Sequence, residues 1–210
     1  MLNKPIYRYD IEQNTDEWFA IKVAKFSASI ANDLLMTKSN KGYINLINRI
    51  VEERITGQRC ENNQFKGNWA TNRGHEQEPI AREDYELRTL QVVNIVGVVE
   101  LNEWVLCSPD GLINDNALHQ IKCPIFSTQK EYLTKLQSGK NPIDSGYYKQ
   151  LQFELFVTQR DYNVFTSYHP NLKAIDIEVK RDNVLIQEIE DRIGEAKIEI
   201  LQEIERIKNF

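Results

Sequence analysis

Asp110, Gln120 and Lys122 lie in one stretch, SPDGLINDNALHQIKCP, residues 108–124. Hydrolysis of a phosphodiester by a metal enzyme needs carboxylates to hold one or two divalent ions. It also needs a cation near the attacking water or the scissile phosphate. Mg²⁺ is hard and prefers oxygen ligands. An Asp at a turn, followed on the next strand by acid-x-Lys, presents these groups on one face, and x contributes only its backbone carbonyl. Asp110 sits at the Pro109–Gly111 turn. Strand alternation puts Leu118, Gln120 and Lys122 on one face and His119, Ile121 and Cys123 on the other. Glu78, upstream on a predicted helix, could complete the cluster. Gln120 occupies the place where a second carboxylate is wanted. Singly, each residue has an ordinary reading: SPDG is a common turn, a strand lysine is usually solvated, and one helical acid among several usually faces water. Their order and spacing make the signal.

The elements that must carry these residues follow from periodicity. NTDEWFAIKVAKF reads as a helix capped by Thr15 or Asp16, and SASIANDLLM as a second, capped near Ser27. GYINLINRIVEERITG has apolar residues at helical spacing and stops at Gly57. A polar loop, QRCENNQFKGN, precedes a longer helix, WATNRGHEQEPIAREDYELRT. Pro79 should kink that helix or begin its main segment. LQVVNIVGVVE, WVLCS, GLIND and ALHQIKCP read as strands. SGYYKQLQFELFVTQ returns to helix, and DYNVFTSYHP and AIDIEVKRD are two more strands. The last stretch is an amphipathic helix at about 182–208, with Ile186, Ile193, Ile200 and Ile207 at heptad spacing, for packing on the domain or for oligomer contacts. The order gives an α/β (α+β) fold with a central mixed β-sheet flanked by helices, as one domain over residues 1–210.

Composition narrows the chemistry. The chain has 210 residues, three cysteines and three histidines. No CxxC or HExxH pattern occurs, so a zinc hydrolase or a four-thiolate cluster is not expected. No apolar run approaches the ~18 residues of a membrane span, and the N-terminus lacks a signal-peptide core. The expectation is a soluble, cytoplasmic protein with no membrane partner. With 26 Lys and Arg against 31 Asp and Glu, the net charge is −5. That argues against a uniformly basic coat for nucleic acid. It permits a locally basic channel, because charge acts within a Debye length of ~8–10 Å.

At CSPDGL and QIKCP, ten residues apart from Asp110 to Gln120, the chain resembles the phage lambda exonuclease-like (YqaJ) family of PD-(D/E)XK nucleases. TDEWFAIKVAKFSAS, RGHEQEPIARE and YYKQLQFELFVT resemble three further family segments in family order, so the likeness covers roughly residues 10–170. The resemblance implies a restriction-endonuclease-like core and a 5′-to-3′ exonuclease. Such an enzyme degrades one strand of double-stranded DNA, leaving 3′ tails for single-strand-annealing recombination. It implies Mg²⁺, in two ions, with Mn²⁺ able to substitute. Asp110 would be the central ligand, Glu78 would support the second ion, and position 120 and the Ile121 carbonyl would complete the shell. Lys122 would position or activate water, Gln152 would contact DNA or the water network, and Lys22 and Ser29 would bind the 5′-phosphate. The family usually has Arg where Lys22 stands, and Lys lacks the bidentate fork. The family's best-known member is a ring-shaped homotrimer. The implied partners are DNA ends and a single-strand-annealing protein, in a bacterial host, from a phage or prophage.

The family has Glu where this chain has Gln120. Losing a unit charge ~4 Å from a cation, at an effective dielectric of about 20, costs on the order of 4 kcal/mol per metal charge before relaxation. Three accounts stand: a substitution of Glu by Gln that traps uncut DNA, a natural QxK site, or a natural inactive relative that binds DNA ends. A restriction-like endonuclease on the same fold is the other enzymatic reading.

Overall fold

The computed structural model describes residues 4–60 and 69–210. Most of the polar loop expected at 58–68 lies outside these. In chain order the elements are β1 (Ile6–Arg8), α1 (Asp16–Ile21), β2 (Phe26–Ser27), a 3₁₀ turn (Ala28–Ile30), α2 (Ala31–Leu34), α3 (Lys41–Thr56) and α4 (Trp69–Thr89). Then come β3 (Val93–Asn94), β4 (Val98–Asn102), β5 (Val105–Cys107), β6 (Gly111–Ile113), β7 (Ala117–Lys122), α5 (Phe126–Gln137), α6 (Ser145–Thr158), β8 (Tyr162–His169), β9 (Leu172–Lys180) and α7 (Asn183–Lys208). A central five-stranded sheet has the order β3-β6-β7-β8-β9, and a four-stranded sheet has the order β1-β4-β5-β2. Both are mixed: β7 runs parallel to β8 and β2 parallel to β5, and the other pairs are antiparallel. The fold class is α+β, as the element order implied.

The predicted strand over LQVVNIVGVVE is two strands in different sheets, broken at Ile95–Gly97. The break has a steric cause. A Cβ on Gly97 would lie 1.9 Å from the Ile11 carbonyl oxygen, so only glycine lets the N-terminal segment cross here. α1 is shorter than its apolar pattern suggests. Thr15 caps it by accepting from the Trp18 amide at 3.3 Å, and the chain leaves the helix at Lys22, with Ala24 at φ 60°. α4 runs unbroken through Pro79. Pro79 leaves the His75 carbonyl without its helical N–H partner.

The main core lies between α2, α3, α6, α7 and the inner faces of the sheets. The α7 stripe Ile186, Ile189, Ile193, Ala196, Ile200 and Ile204 is buried, and it packs on α2, α3 and α6. Ile207 is partly exposed beyond it. α6 is buried on nearly all sides: Leu151 packs with Tyr132, Phe165 and Ile175, while Phe153 and Leu155 join the main core. Each such fully buried side chain contributes roughly 1.5–3 kcal/mol. That rigid helix backs the site. Among the described residues no helix is long and apolar enough to cross a membrane.

Candidate active site

β6 and β7 pair antiparallel with Gly111 opposite His119, which sets Asp110 beside the outer half of β7. The Asp110 Oδ2 accepts from the Ile121 amide at 2.6 Å and from the Gln120 side-chain amide. Glu78 comes from α4 and accepts from Arg82 Nη2 at 2.7 Å. A cleft of 620 Å³ is walled by Glu78, Asp110, Ile121, Lys122, Arg73 and Tyr147, among others. The Lys122 Nζ lies 5.0 Å from the Tyr147 ring centre. Arg73 donates to the Cys123 and Pro124 carbonyls and ties α4 to the end of β7. The structure thus brings together Glu78, Asp110, Gln120, Ile121 and Lys122.

Burial pushes the Asp110 carboxyl up to about 7, with the Glu78 charge adding to the rise and Lys122 opposing it. Burial also raises Glu78, held back by Arg82 and Lys122. Two desolvated carboxyls on one oxygen-lined wall favour a bound cation. Mg²⁺ is usually held by one or two carboxylates, with water and substrate phosphate completing its shell. Glu78, Asp110 and the Ile121 carbonyl, all on the wall of this cleft, are the groups that could hold such an ion. Among the described residues no group of three or more His, Cys, Asp or Glu side chains could share a metal. Gln120 is 3% exposed, and its N–H₂ faces Asp110, so it is a donor to the carboxylate rather than the ligand expected from the sequence.

Gln152 is not at the site. It is fully buried: its Nε2 donates to the Lys180 carbonyl at 2.9 Å and its Oε1 accepts from the Asp182 amide at 2.8 Å. Both ends of the side chain are used to hold the β9–α7 junction. The first glutamine of the pair, Gln150, faces the cluster instead. Its Nε2 donates to the Gln120 Oε1 at 3.3 Å and to the Glu154 Oε1 at 3.0 Å. Glu154 was not anticipated from the sequence. The available signal was its i,i+4 relation to Gln150, which puts both on one helix face. Burial pushes the Glu154 carboxyl up to about 8, and Asp110 adds to the rise.

A second cavity, of 220 Å³, is lined by Trp18, Lys22, Ser29, Arg49 and Arg59, among others. The Lys22 Nζ sits 3.5 Å above the Trp18 ring, and the Arg59 guanidinium 4.2 Å above the Phe19 ring. The Ser27 and Ser29 hydroxyls lie 3.2 Å apart. Burial pushes the Lys22 ammonium down to about 7, and the Arg49 and Arg59 charges assist. The Arg49 Nη2 is buried with no hydrogen-bond partner. Such an unpaired N–H costs about 1–3 kcal/mol unless an acceptor meets it. Arg49 belongs to α3, whose other arginine, Arg54, lies over the Trp104 ring. The fold of α3 against α1 turns Arg49 inward, which no local pattern signals. The Trp18 Nε1 donates to the Ser108 Oγ at 3.0 Å, tying this pocket to the segment that carries Asp110. A third cavity, of 200 Å³, is walled by Lys22 and Ser29 from one side and by Glu78, Asp110, Gln120 and Lys122 from the other. The basic pocket and the acidic cleft are therefore neighbours.

His119 points away from both. Its Nε2 lies 2.8 Å from the Thr166 Oγ1 under the Tyr85 ring, and burial pushes it down to about 4.

The sequence profile of the YqaJ-like viral recombinase domain family matches residues 17–161, and the chain belongs to that family. Its structure is similar to that of an alkaline exonuclease (LHK-Exo) from Laribacter hongkongensis. The TM-score is 0.80 at 32% identity, covering 93% of this chain and 97% of the other. The complex of LHK-Exo with dAMP matches at 31% identity with the same TM-score and coverage. A phage related exonuclease from Haemophilus somnus shares the fold at a TM-score of 0.64 and 15% identity, over 87% of this chain and 96% of that one. No curated protein matches the sequence.

Proposed function

We propose that this chain is a metal-dependent deoxyribonuclease that degrades one strand of duplex DNA from its 5′ end. One observation carries the reading: the basic pocket of Lys22, Arg49 and Ser29 shares a connecting cavity with the cleft of Asp110, Glu78 and Lys122. A terminal phosphate in the first would set the adjoining phosphodiester in the second. The unpartnered Arg49 N–H suits a phosphate oxygen. An exonuclease with the same fold at 32% identity, and its complex with dAMP, support the class of activity and of ligand.

Glu78, Asp110 and the Ile121 carbonyl would hold one Mg²⁺, or Mn²⁺ in its place. The bound ion would polarise the scissile phosphate and offset charge on the attacking and leaving oxygens. Asp110 is fixed for this by the Ile121 amide and by Gln120. Lys122 faces the cleft from the same strand, where it would hold the attacking water against the phosphate. Arg73 ties α4 to the end of β7, and Arg82, one turn along α4, holds the Glu78 carboxylate in place.

The test is Mg²⁺-dependent release of nucleotides from linear duplex with 5′-phosphate ends, run beside a covalently closed circle and beside Asp110→Asn. Degradation of the linear form alone, abolished in Asp110→Asn, supports the reading. Cutting of the circle would instead indicate an endonuclease. A second reading, a non-catalytic binder of DNA ends, draws on the neutral Gln120 and on there being, among the described residues, no three acids placed to share a metal. Gln120→Glu in the same assay distinguishes them: activity that arises only in that variant favours the binder.

A further inference from the structure

The acid cluster has one member that the reaction as described leaves without a task. Glu154 is 0% exposed, on helix α6, at the wall of the connecting cavity that Gln120 and Asp110 also line. A buried carboxyl is costly unless its oxygens are met by donors. Both of them are: the Oε1 accepts from Gln150 and the Oε2 from the Asn163 Nδ2 at 2.8 Å. Asn163 serves this bond at the expense of its own Oδ1, which is buried without a partner. The environment is built around an acceptor at Glu154.

That acceptor sets a direction. Gln150 must turn its N–H₂ toward Glu154, and the same nitrogen also donates to the Gln120 Oε1. Gln120, accepting there, must present its own N–H₂ on the other side, where it donates to the Asp110 Oδ2. The chain Glu154–Gln150–Gln120–Asp110 therefore has one polarity, fixed at its buried end. A neutral residue at 154 would let it reverse, and the Gln120 oxygen would then face the Asp110 oxygen.

We propose that Glu154 is a positioning residue that replaces the carboxylate absent from position 120: acting through Gln150, it orients Gln120 to hold Asp110, and in its ionised form, which a cation in the cleft favours, it supplies negative charge to the site. This rests on the reading of the cleft as a metal site. The acid has in effect moved from strand β7 to helix α6. Loss of a residue that orients a ligand in this way typically weakens metal binding 10–100-fold.

The experiment is a direct titration of Mn²⁺ into the full chain, followed by electron paramagnetic resonance in the absence of DNA. The variants are Glu154→Gln, Gln120→Glu, the double exchange Gln120→Glu with Glu154→Gln, Gln150→Met and Asp110→Asn. The double exchange keeps the total charge and still lets Gln150 donate to position 120. Expected results are an affinity lowered about tenfold or more in Glu154→Gln and restored to within about threefold of the parent in the double exchange. Gln150→Met, which cuts the chain and keeps both carboxyl groups, should also weaken Mn²⁺ binding, and it serves if Glu154→Gln does not fold. Parent-like affinity in Glu154→Gln or Gln150→Met, with binding lost in Asp110→Asn, overturns the proposal and leaves the metal site standing. A Glu154→Gln defect that Gln120→Glu does not repair overturns it as well. No Mn²⁺ binding by the parent chain removes the metal reading itself.

Discussion

Lys22 carries the sharpest consequence of a single side chain. Its ammonium titrates near 7 because the pocket strips its water and sets two guanidiniums beside it. A bound phosphate favours the charged form. Above pH 7 the free protein holds Lys22 largely neutral, so binding the phosphate takes up a proton, and affinity falls as pH rises. Below 7 the lysine is already charged and the dependence vanishes. The preference for 5′-phosphate over 5′-hydroxyl ends should therefore shrink between pH 7 and 9, by at most about tenfold per unit. In Lys22→Arg it should stay flat, because guanidinium does not titrate in this range. Competition between the two kinds of end, measured across pH, checks this. Asp110 was legible from SPDG and its spacing to Lys122. Gln150 and Glu154 were not. Gln150 and Gln152 sit on one helix two residues apart, and which one meets the cluster depends on how α6 packs against β9 and the start of α7. Nothing in QLQFE states that.

Among the elements, β7 was the most readable. Its alternation separates Gln120 and Lys122 from His119, and pairing with β6 delivers Asp110 to the same end. α7 was equally plain from its isoleucine stripe. α5 was not foreseen, although Thr128 and Tyr132 wall the cleft from it. Its N-cap, Ile125, makes no side-chain cap bond, and its apolar residues do not form a stripe: Tyr132 and Gln129 are buried while Phe126 is exposed. β1 and β2 have three and two residues and exist through their partners β4 and β5, so no local pattern marks them. The break between β3 and β4 was hidden because Gly97 acts through a contact with Ile11, some 86 residues earlier in the chain. Gly97→Ala forces those backbones apart and should cost about 1–3 kcal/mol, the usual range for overpacking. Urea denaturation measures it. The same variant should loosen Trp18, which donates to the Gly97 carbonyl at 3.2 Å, and so weaken the basic pocket.

For the whole molecule, the net charge of −5 and the recognition of a polyanion are compatible because the positive charge is local. Lys22, Arg49 and Arg59 are gathered in one cavity, and the cleft of Glu78 and Asp110 lies next to it. Such a protein should bind duplex ends rather than coat duplex interiors. The logarithm of its affinity for a short 5′-phosphorylated duplex should fall against the logarithm of salt with a slope of only about −3, as for a few neutralised phosphates. A slope near −10 would describe a broad basic surface that the composition does not offer. Titrations at several salt concentrations, in EDTA to prevent cleavage, distinguish the two.

On the proposed function the two cavities act as one site, the terminal phosphate held in the basic pocket and the bond beside it broken in the cleft. The most direct measurement follows Mg²⁺-dependent digestion of one linear duplex prepared with 5′-phosphate or 5′-hydroxyl ends, by the parent chain and by Arg49→Ala. The expected result is faster digestion of the phosphorylated end by the parent, with that advantage lost in Arg49→Ala while Asp110→Asn is inactive on both. Equal digestion of both ends by the parent, or an advantage untouched by Arg49→Ala, would contradict the account.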